Sequence, residues 1–169
     1  MRLFIATEIP DEIKEELAKY QSYLKKSSAD ITLVREFHLT YAFLGEIGKS
    51  EVDKLVERLS IVKVDKIETY LSSIGFFPNE KFARVVWVGL KNEELIREQQ
   101  KRIASSIRYE ERFKPHLTLA RIKKFHPSIV EQTKKIKLSN KPFTLSGFSL
   151  IQSNLTQDGP VYKIIKSFS

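Results

Sequence analysis

Two short phrases in this chain each place a histidine two residues before a threonine: HLTYAF at 38–43 and HLTLAR at 116–121. Side chains two apart in a strand share a face, so each phrase presents an imidazole beside a hydroxyl. Histidine gives and takes protons near neutral pH, because its unperturbed pKa is about 6.5. Two such pairs facing each other would suit acid–base work on a phosphate ester, with one histidine protonating a leaving oxygen and the other activating water.

The residues around the histidines fit the charge of such a reaction. The hydroxyls of Thr40 and Thr118 can donate to the non-bridging oxygens of a phosphate, and a cation such as Arg121 or Lys114 can add a charge-assisted bond. Strict alternation places Arg121 on the face opposite His116, so it reaches the site only if the strand ends or twists there. We expect neither metal nor cofactor, since the chain lacks cysteine and the helical histidine spacing of zinc sites.

Several other residues could be functional from their type, but a structural role is favoured for each of them. His126 has no counterpart in the other phrase and is expected at the surface, in a loop before a helix. Phe76, Phe77 and Trp87 are expected in the core rather than as platforms for stacked bases. Under strict alternation Tyr41 points away from His38, which favours a structural role for its ring.

The elements around the two phrases follow the same order, which indicates a duplication. A strand and then a helix precede each phrase, with the helices opening at Pro10 and Asn92, and another helix follows each phrase. Strands are predicted at 2–9, 38–45, 66–75, 82–90, 116–122, 143–152 and 160–168. Two copies of a strand–helix–strand unit around a pseudo-two-fold axis would bring both phrases to one central cleft. We expect residues 1–169 to form one domain built of two lobes.

Composition narrows the class of protein. The chain has 29 Lys and Arg against 21 Asp and Glu, a net charge of +8 that favours polyanionic partners. The apolar run after Met1 is too short for a signal peptide, and no stretch approaches the ~20 apolar residues of a membrane span. A soluble, cytoplasmic protein without a membrane partner is expected.

The paired HLT phrases, the strand FARVVWVGL, the segment KPHLTLAR and the closing SNLTQDGPVY together resemble the two-histidine (2H) phosphoesterases. Within that family the likeness is to the RNA 2′,3′-cyclic phosphodiesterases, historically called 2′-5′ RNA ligases, and it covers essentially the whole chain. The resemblance implies an α+β fold of two pseudo-symmetric lobes. Each lobe would carry an antiparallel sheet flanked by helices, around a basic cleft that holds both HxT motifs.

The resemblance also implies an activity and roles for residues. The activity is metal-independent hydrolysis of an RNA 2′,3′-cyclic phosphate to a 2′-phosphomonoester, reversible as ligation to a 5′-hydroxyl. His38 would donate a proton to the departing 3′ oxygen, and His116 would accept one from water. Thr40 and Thr118 would hold the phosphate, and Arg121 matches an arginine that often ends the second motif. By composition alone the two motifs are nearly interchangeable, which leaves the donor and the acceptor open.

The first phrase and its surroundings depart from the pattern HxTLKFLGE that is common in the family. These departures affect the residues expected at the mouth of the cleft. Tyr41 and Ala42 replace its Leu and Lys, and Leu33 stands where Trp is common. The segment before His38, LVREF, is also shorter than usual, which leaves open the same catalysis on a small cyclic nucleotide or an ADP-ribose cyclic phosphate. Two alternatives without catalysis also remain: a module that binds RNA ends or nucleotides, and a scaffold whose HLT motifs are vestigial. The expected partner is RNA with a 2′,3′-cyclic end, bound by a monomer.

Overall fold

A computed structural model describes the whole chain, residues 1–169. Its ten strands are β1 Arg2–Glu8, β2 Asp30–Leu33, β3 His38–Glu46, β4 Ile67–Thr69, β5 Leu71–Phe77, β6 Val85–Leu90, β7 His116–Lys124, β8 Phe143–Leu145, β9 Phe148–Thr156 and β10 Gly159–Phe168. Its four helices are α1 Asp11–Leu24, α2 Lys49–Ser60, α3 Glu93–Ile107 and α4 Ser128–Lys134. Each helix is too short or too polar to span a bilayer.

The strands form antiparallel sheets, and each sheet combines strands from both halves of the chain. One sheet has the order β10-β9-β1-β3 and the other the order β2-β7-β6-β5. The first therefore combines β1 and β3 with two strands of the second half. The second sheet combines β6 and β7 with two strands of the first half, and β4 pairs with β8 across the halves. The predicted α+β class, with two related lobes, is confirmed.

The helices of each half pack against the phrase-bearing strand of the other half. Helix α1 lies on β7, and α3 lies on β3. The buried face of α1 carries Ile13, Leu17, Tyr20 and Leu24 at helical spacing, as the sequence predicts. Both helices also bury glutamines, Gln21 in α1 and Gln99 and Gln100 in α3. Buried glutamine is uncommon, so each of these side chains is expected to make a specific hydrogen bond.

Three details of the strands differ from the prediction. The single strand expected at 66–75 is divided at Tyr70 into β4 and β5, which pair with different partners. The strand expected at 143–152 is divided before β9 by Gly147, which has a φ of +69°. A Cβ there would lie 2.5 Å from the carbonyl oxygen of Phe168, so only glycine fits this turn. The short strand β2 was not predicted.

Candidate active site

The strand pairing places each histidine on the same face as its threonine. In the first half His38 pairs with Glu8 of β1 and Thr40 pairs with Ala6. Glu8 and Ala6 alternate on β1 and so share a face, which puts the imidazole and hydroxyl side by side. In the second half His116 and Thr118 pair with Gly89 and Trp87 of β6 in the same way. All four side chains are half-buried, as expected at a cleft.

A β-bulge directly after each threonine changes which residue comes next on this face. Ala120 pairs with Val86 and Thr118 with Trp87, so Leu119 is an extra residue in β7. Beyond the bulge Arg121 pairs with Val85, and it therefore lies on the face of His116 and Thr118. The prediction that Arg121 lies on the face opposite His116 is therefore wrong. It assumed strict alternation, and the extra residue reverses which side chains face each side of the strand.

The first half has the equivalent bulge and the equivalent outcome. Ala42 pairs with Ile5 and Thr40 with Ala6, so Tyr41 is the extra residue of β3. Phe43 then pairs with Phe4 and joins the face of His38 and Thr40. Its ring is 61% exposed, on a chain whose other large apolar side chains are mostly buried. The two phrases thus end in an exposed phenyl ring and an exposed guanidinium at corresponding positions.

His38 lies among aromatic rings. The ring of Tyr162 is 5.4 Å from the imidazole centroid and that of Phe4 is 6.0 Å away, both edge-on. Burial lowers the pKa of His38; the charge of Glu36 raises it, that of Lys14 lowers it, and that of Glu8 raises it by the smallest amount. These carboxylates favour the protonated imidazolium, which is the form that donates a proton.

His116 has a defined tautomer and cationic neighbours. Its Nδ1–H donates to the carbonyl oxygen of Lys114 at 2.6 Å, which leaves the lone pair of the neutral ring on Nε2. Burial lowers the pKa of His116; the Lys114 carbonyl raises it, and the charges of Lys114 and Arg121 lower it further. A neutral imidazole with a free Nε2 lone pair is the form that accepts a proton. The ring of Phe77, 4.9 Å away, and the indole of Trp87, 6.3 Å away, pack against it.

The strands that carry the two His–Thr pairs are neighbours in the fold. Strands β3 and β7 lie against each other although they belong to different sheets. Burial raises the pKa of Tyr162, which touches the His38 ring, and the positive charge of Arg121 opposes this rise. The charge of Arg121 therefore acts both on His116 and on Tyr162, which lies beside His38.

The side chain of Lys114 is already engaged within the protein. Its Nζ donates to Glu93 Oε1 at 3.0 Å and lies 5.5 Å above the centroid of the Trp87 ring. This bond, ahead of the smaller effect of Arg97, holds the pKa of Glu93 below its usual range. A role for Lys114 in binding substrate stays a prediction. What the structure shows is that its carbonyl orients His116.

The structural expectations for the other candidates are mostly confirmed. Tyr41, the extra residue of the β3 bulge, is buried, and burial strongly raises the pKa of its hydroxyl. His126 is exposed and accepts the backbone N–H of Ser128 at the start of α4. Phe76 and Trp87 are buried. Phe77 was wrongly expected in the core, since it is half-buried against His116.

Sequence reasoning missed the cluster of aromatic rings next to His38, formed by Phe4, Phe43 and Tyr162. Phe43 and Phe4 lie 6.2 Å apart, and Phe4 and Tyr162 lie 5.2 Å apart. One signal was available, because Phe43 stands in the first phrase where Arg121 stands in the second. The other two rings reach the site only through the pairing of β1, β9 and β10, which the sequence does not state.

Each half of the chain thus contributes one imidazole with a threonine on the same strand face, and this repeated arrangement matches a family of phosphoesterases. The family model described as LigT like Phosphoesterase matches residues 8–87 and, a second time, residues 88–162. The chain belongs to this family, and the double match agrees with the duplicated halves.

Curated relatives and solved structures agree with this assignment. An RNA 2′,3′-cyclic phosphodiesterase of Methanocaldococcus jannaschii is 33% identical over 99% of this chain and 100% of the relative. One of Archaeoglobus fulgidus is 35% identical over 99% of both chains. The crystal structure of a Thermus thermophilus protein, 27% identical, superposes with a TM-score of 0.81 over 100% of this chain and 97% of that one. Escherichia coli LigT complexed with 3′-AMP, 23% identical over 99% and 97%, has the same fold with a TM-score of 0.79.

Proposed function

We propose that this protein hydrolyses the 2′,3′-cyclic phosphate at RNA ends to a 2′-phosphomonoester, without a metal ion. The observation that carries the proposal is the pair of His–Thr strand faces, one from each half, on strands β3 and β7 that contact each other. The names of the M. jannaschii and A. fulgidus relatives support the same substrate class. Run in reverse, the site would join a 2′,3′-cyclic end to a 5′-hydroxyl.

The surroundings of the histidines support a division of roles. His116, with its Nε2 lone pair free, takes a proton from water as the water oxygen attacks phosphorus. The bond from phosphorus to the 3′ oxygen breaks, and His38, beside Glu36 and Glu8, gives its proton to that oxygen. The phosphate remains on the 2′ oxygen. The Thr40 and Thr118 hydroxyls and the Arg121 guanidinium stabilise the charge on the non-bridging oxygens.

The two sides of the cleft differ in a way that fits a nucleotide. The His116 side carries Arg121, whose charge attracts a phosphate. The His38 side carries the exposed ring of Phe43 beside Phe4 and Tyr162, and aromatic faces of this kind stack nucleobases. We assign the nucleoside next to the cyclic phosphate to this aromatic side.

Residues 1–169 act, in this proposal, as one domain built of two duplicated lobes. The exchanged strands support it, because neither sheet is complete without both halves. Both histidines come from the same chain, so a monomer holds a whole site. The cytoplasm is the proposed location, where RNA ends are available as substrate.

The experiment that tests the proposal replaces each histidine in turn by alanine. His38→Ala and His116→Ala are each expected to lower kcat by about 10²–10⁴-fold on an oligonucleotide ending in a 2′,3′-cyclic phosphate. His126→Ala is the matched control, since it removes an exposed imidazole outside the cleft, and it should leave kcat unchanged. Near-normal kcat in both cleft variants would overturn the mechanism.

The same assay separates the alternatives that the sequence leaves open. A wild-type protein that binds the oligonucleotide but never turns it over is an RNA-end binding module, not an enzyme. Preference for a cyclic mononucleotide over the oligonucleotide, judged by kcat/KM, would identify a phosphodiesterase of small nucleotides instead. The proposed function requires turnover and preference for the oligonucleotide.

A further inference from the structure

Strands β3 and β7, which carry the two HLT phrases, each contain a bulge. The extra residue of each bulge accepts a hydrogen bond from a buried glutamine of the other half of the chain. The Gln21 side chain of α1 donates its Nε2–H to the carbonyl oxygen of Leu119, the extra residue of β7, at 2.9 Å. The Gln100 side chain of α3 donates in the same way to the carbonyl of Tyr41, the extra residue of β3, at 3.4 Å. Both side chains are more than nine-tenths buried, at 8% and 6% exposure.

The contact at Leu119 is reinforced by the segment that leads to His38. Gln21 Nε2 also donates to the carbonyl oxygen of Val34 at 2.7 Å, and the Val34 N–H donates to the same Leu119 carbonyl at 3.0 Å. Gln21 therefore ties together α1, the bulge of β7 and the chain entering β3. Without the Gln21 amide, the Leu119 carbonyl would keep only the Val34 N–H and the Val34 carbonyl would lose this donor, so the bulge would be expected to shift.

The position of the bulge decides which side chain enters the cleft. Arg121 lies beside His116 and Thr118 because Leu119 is inserted after Thr118, and Phe43 lies beside His38 for the same reason. A bulge that flattened or slipped by one residue would turn Arg121 or Phe43 to the opposite face. The hydrogen bond that holds the inserted residue thus acts on the site without touching it.

We propose that Gln21 and Gln100 are positioning residues, each holding the bulge of the opposite half and thereby aiming Arg121 and Phe43 into the cleft. The proposal rests on the proposed function, since its effect is measured as turnover. The duplication supports it: the two glutamines stand at nearly the same distance before their histidines and make the same contact across the halves.

The test compares Gln21→Met with a matched control, Gln99→Met. Gln99 is a buried helical glutamine, 2% exposed, whose Nε2 donates to the Lys63 carbonyl at 3.1 Å, away from either bulge. Methionine keeps the length of the side chain and removes the donor. Gln21→Met is expected to lower kcat by about 10–100-fold, the loss typical of a misplaced group at a reacting centre. Gln99→Met should lower the melting temperature and leave kcat within about threefold.

A double-mutant cycle distinguishes positioning from general destabilisation. If Gln21 acts through Arg121, Gln21→Met should cost less than about threefold in kcat when Arg121→Ala is already present, because coupled residues are not additive. With Phe43→Ala present, the full loss is expected, since Phe43 belongs to the other bulge. The converse pattern is expected for Gln100→Met, which should couple to Phe43 and not to Arg121.

Wild-type turnover is measured first, and its absence would count against the proposed function rather than against the glutamines. With the wild type active, a Gln21→Met protein that matches Gln99→Met in kcat would overturn the positioning role. Additive losses with Arg121→Ala would overturn it as well. If Gln21→Met does not fold, Gln21→Asn replaces it, because asparagine keeps the amide but is too short by one methylene to reach the bulge.

Discussion

At the scale of single residues, the two histidines share a motif and a fold position but differ in their charged neighbours. Glu36 is the strongest charged influence on His38 and favours its charged form, ahead of the opposing charge of Lys14, whereas Lys114 and Arg121 favour the neutral form of His116. The sequence left the donor and the acceptor open, because Glu36 lies outside the repeated phrase and Glu8 on another strand. The structure supplies the physical basis on which we propose His38 as acid and His116 as base.

The profile of kcat/KM against pH is expected to be bell-shaped, and both of its limbs, the rise on the acid side and the fall on the alkaline side, should lie at acid pH. The acid must be protonated and the base neutral, so activity is lost above the pKa of His38 and below that of His116. Burial lowers the pKa of both histidines from 6.5, so the maximum of kcat/KM is expected on the acid side of 6.5. A maximum above 7, found from initial rates across a pH series, would contradict this reading of their surroundings.

Removing the charge of Glu36 should move one limb and leave the other in place. Glu36→Gln takes away a negative charge that raises the pKa of His38, so the limb on the alkaline side is expected to move to lower pH. Glu57→Gln, the same change on α2, should move neither limb. If neither limb moved, the charge of Glu36 would not act on the titration of His38, and this basis for its role as the acid would be wrong.

At the scale of elements, the alternation of side chains along the strands predicted the His–Thr pairs and failed one residue later. Period 2 placed His116 and Thr118 on one face, and the structure confirms it. Arg121 was placed on the opposite face because nothing in HLTLAR marks Leu119 as an inserted residue. The bulge depends on hydrogen bonds from Gln21 and Val34, which are distant in the sequence, and local propensity does not contain that information.

A glycine in β5 makes room for the indole that supports His116. A Cβ built on Gly75 would lie 2.1 Å from Cζ2 of Trp87, so Gly75→Ala must displace the ring. We expect a loss of about 1–3 kcal/mol in the free energy of unfolding, from overpacking, together with a lower kcat. Trp87 is the single tryptophan of the chain, so a shift of its fluorescence reports the displacement directly.

Gly48→Ala is the control for this prediction, because the nearest atom to its Cβ would be 3.9 Å away. Gly48 is the N-cap residue of α2, where alanine costs less than about 1 kcal/mol, and kcat should not change. If Gly75→Ala left fluorescence, stability and kcat at wild-type values, the close packing of Trp87 on β5 would be wrong.

At the scale of the whole molecule, the sequence predicted the duplication but not the exchange between its halves. Matching element order predicted two related lobes around a cleft. The order of strands in each sheet was not predictable. The residue patterns of β5 and β9 predict that these segments are strands, but they do not indicate which sheet each strand joins. The exchange has a consequence for folding: β9 completes the sheet of β1 and β3, and β5 completes the sheet of β6 and β7.

The two halves should therefore unfold together. Leu39 and Leu117 occupy corresponding positions in β3 and β7, and both are fully buried. Leu39→Ala and Leu117→Ala are each expected to cost about 2–5 kcal/mol and to shift a single transition in urea, followed by circular dichroism and Trp87 fluorescence. Two separate transitions, with each variant moving only one, would show that the lobes are independent domains.

The central claim, that one cleft performs two-histidine hydrolysis of RNA cyclic ends, is tested most directly by a single incubation. The purified protein is mixed with an RNA oligonucleotide ending in a 2′,3′-cyclic phosphate, with EDTA present, and the products are resolved as 2′- or 3′-phosphates. We predict complete conversion to the 2′-phosphate at a rate that EDTA does not change. A 3′-phosphate product, or loss of turnover with EDTA, would contradict the claim.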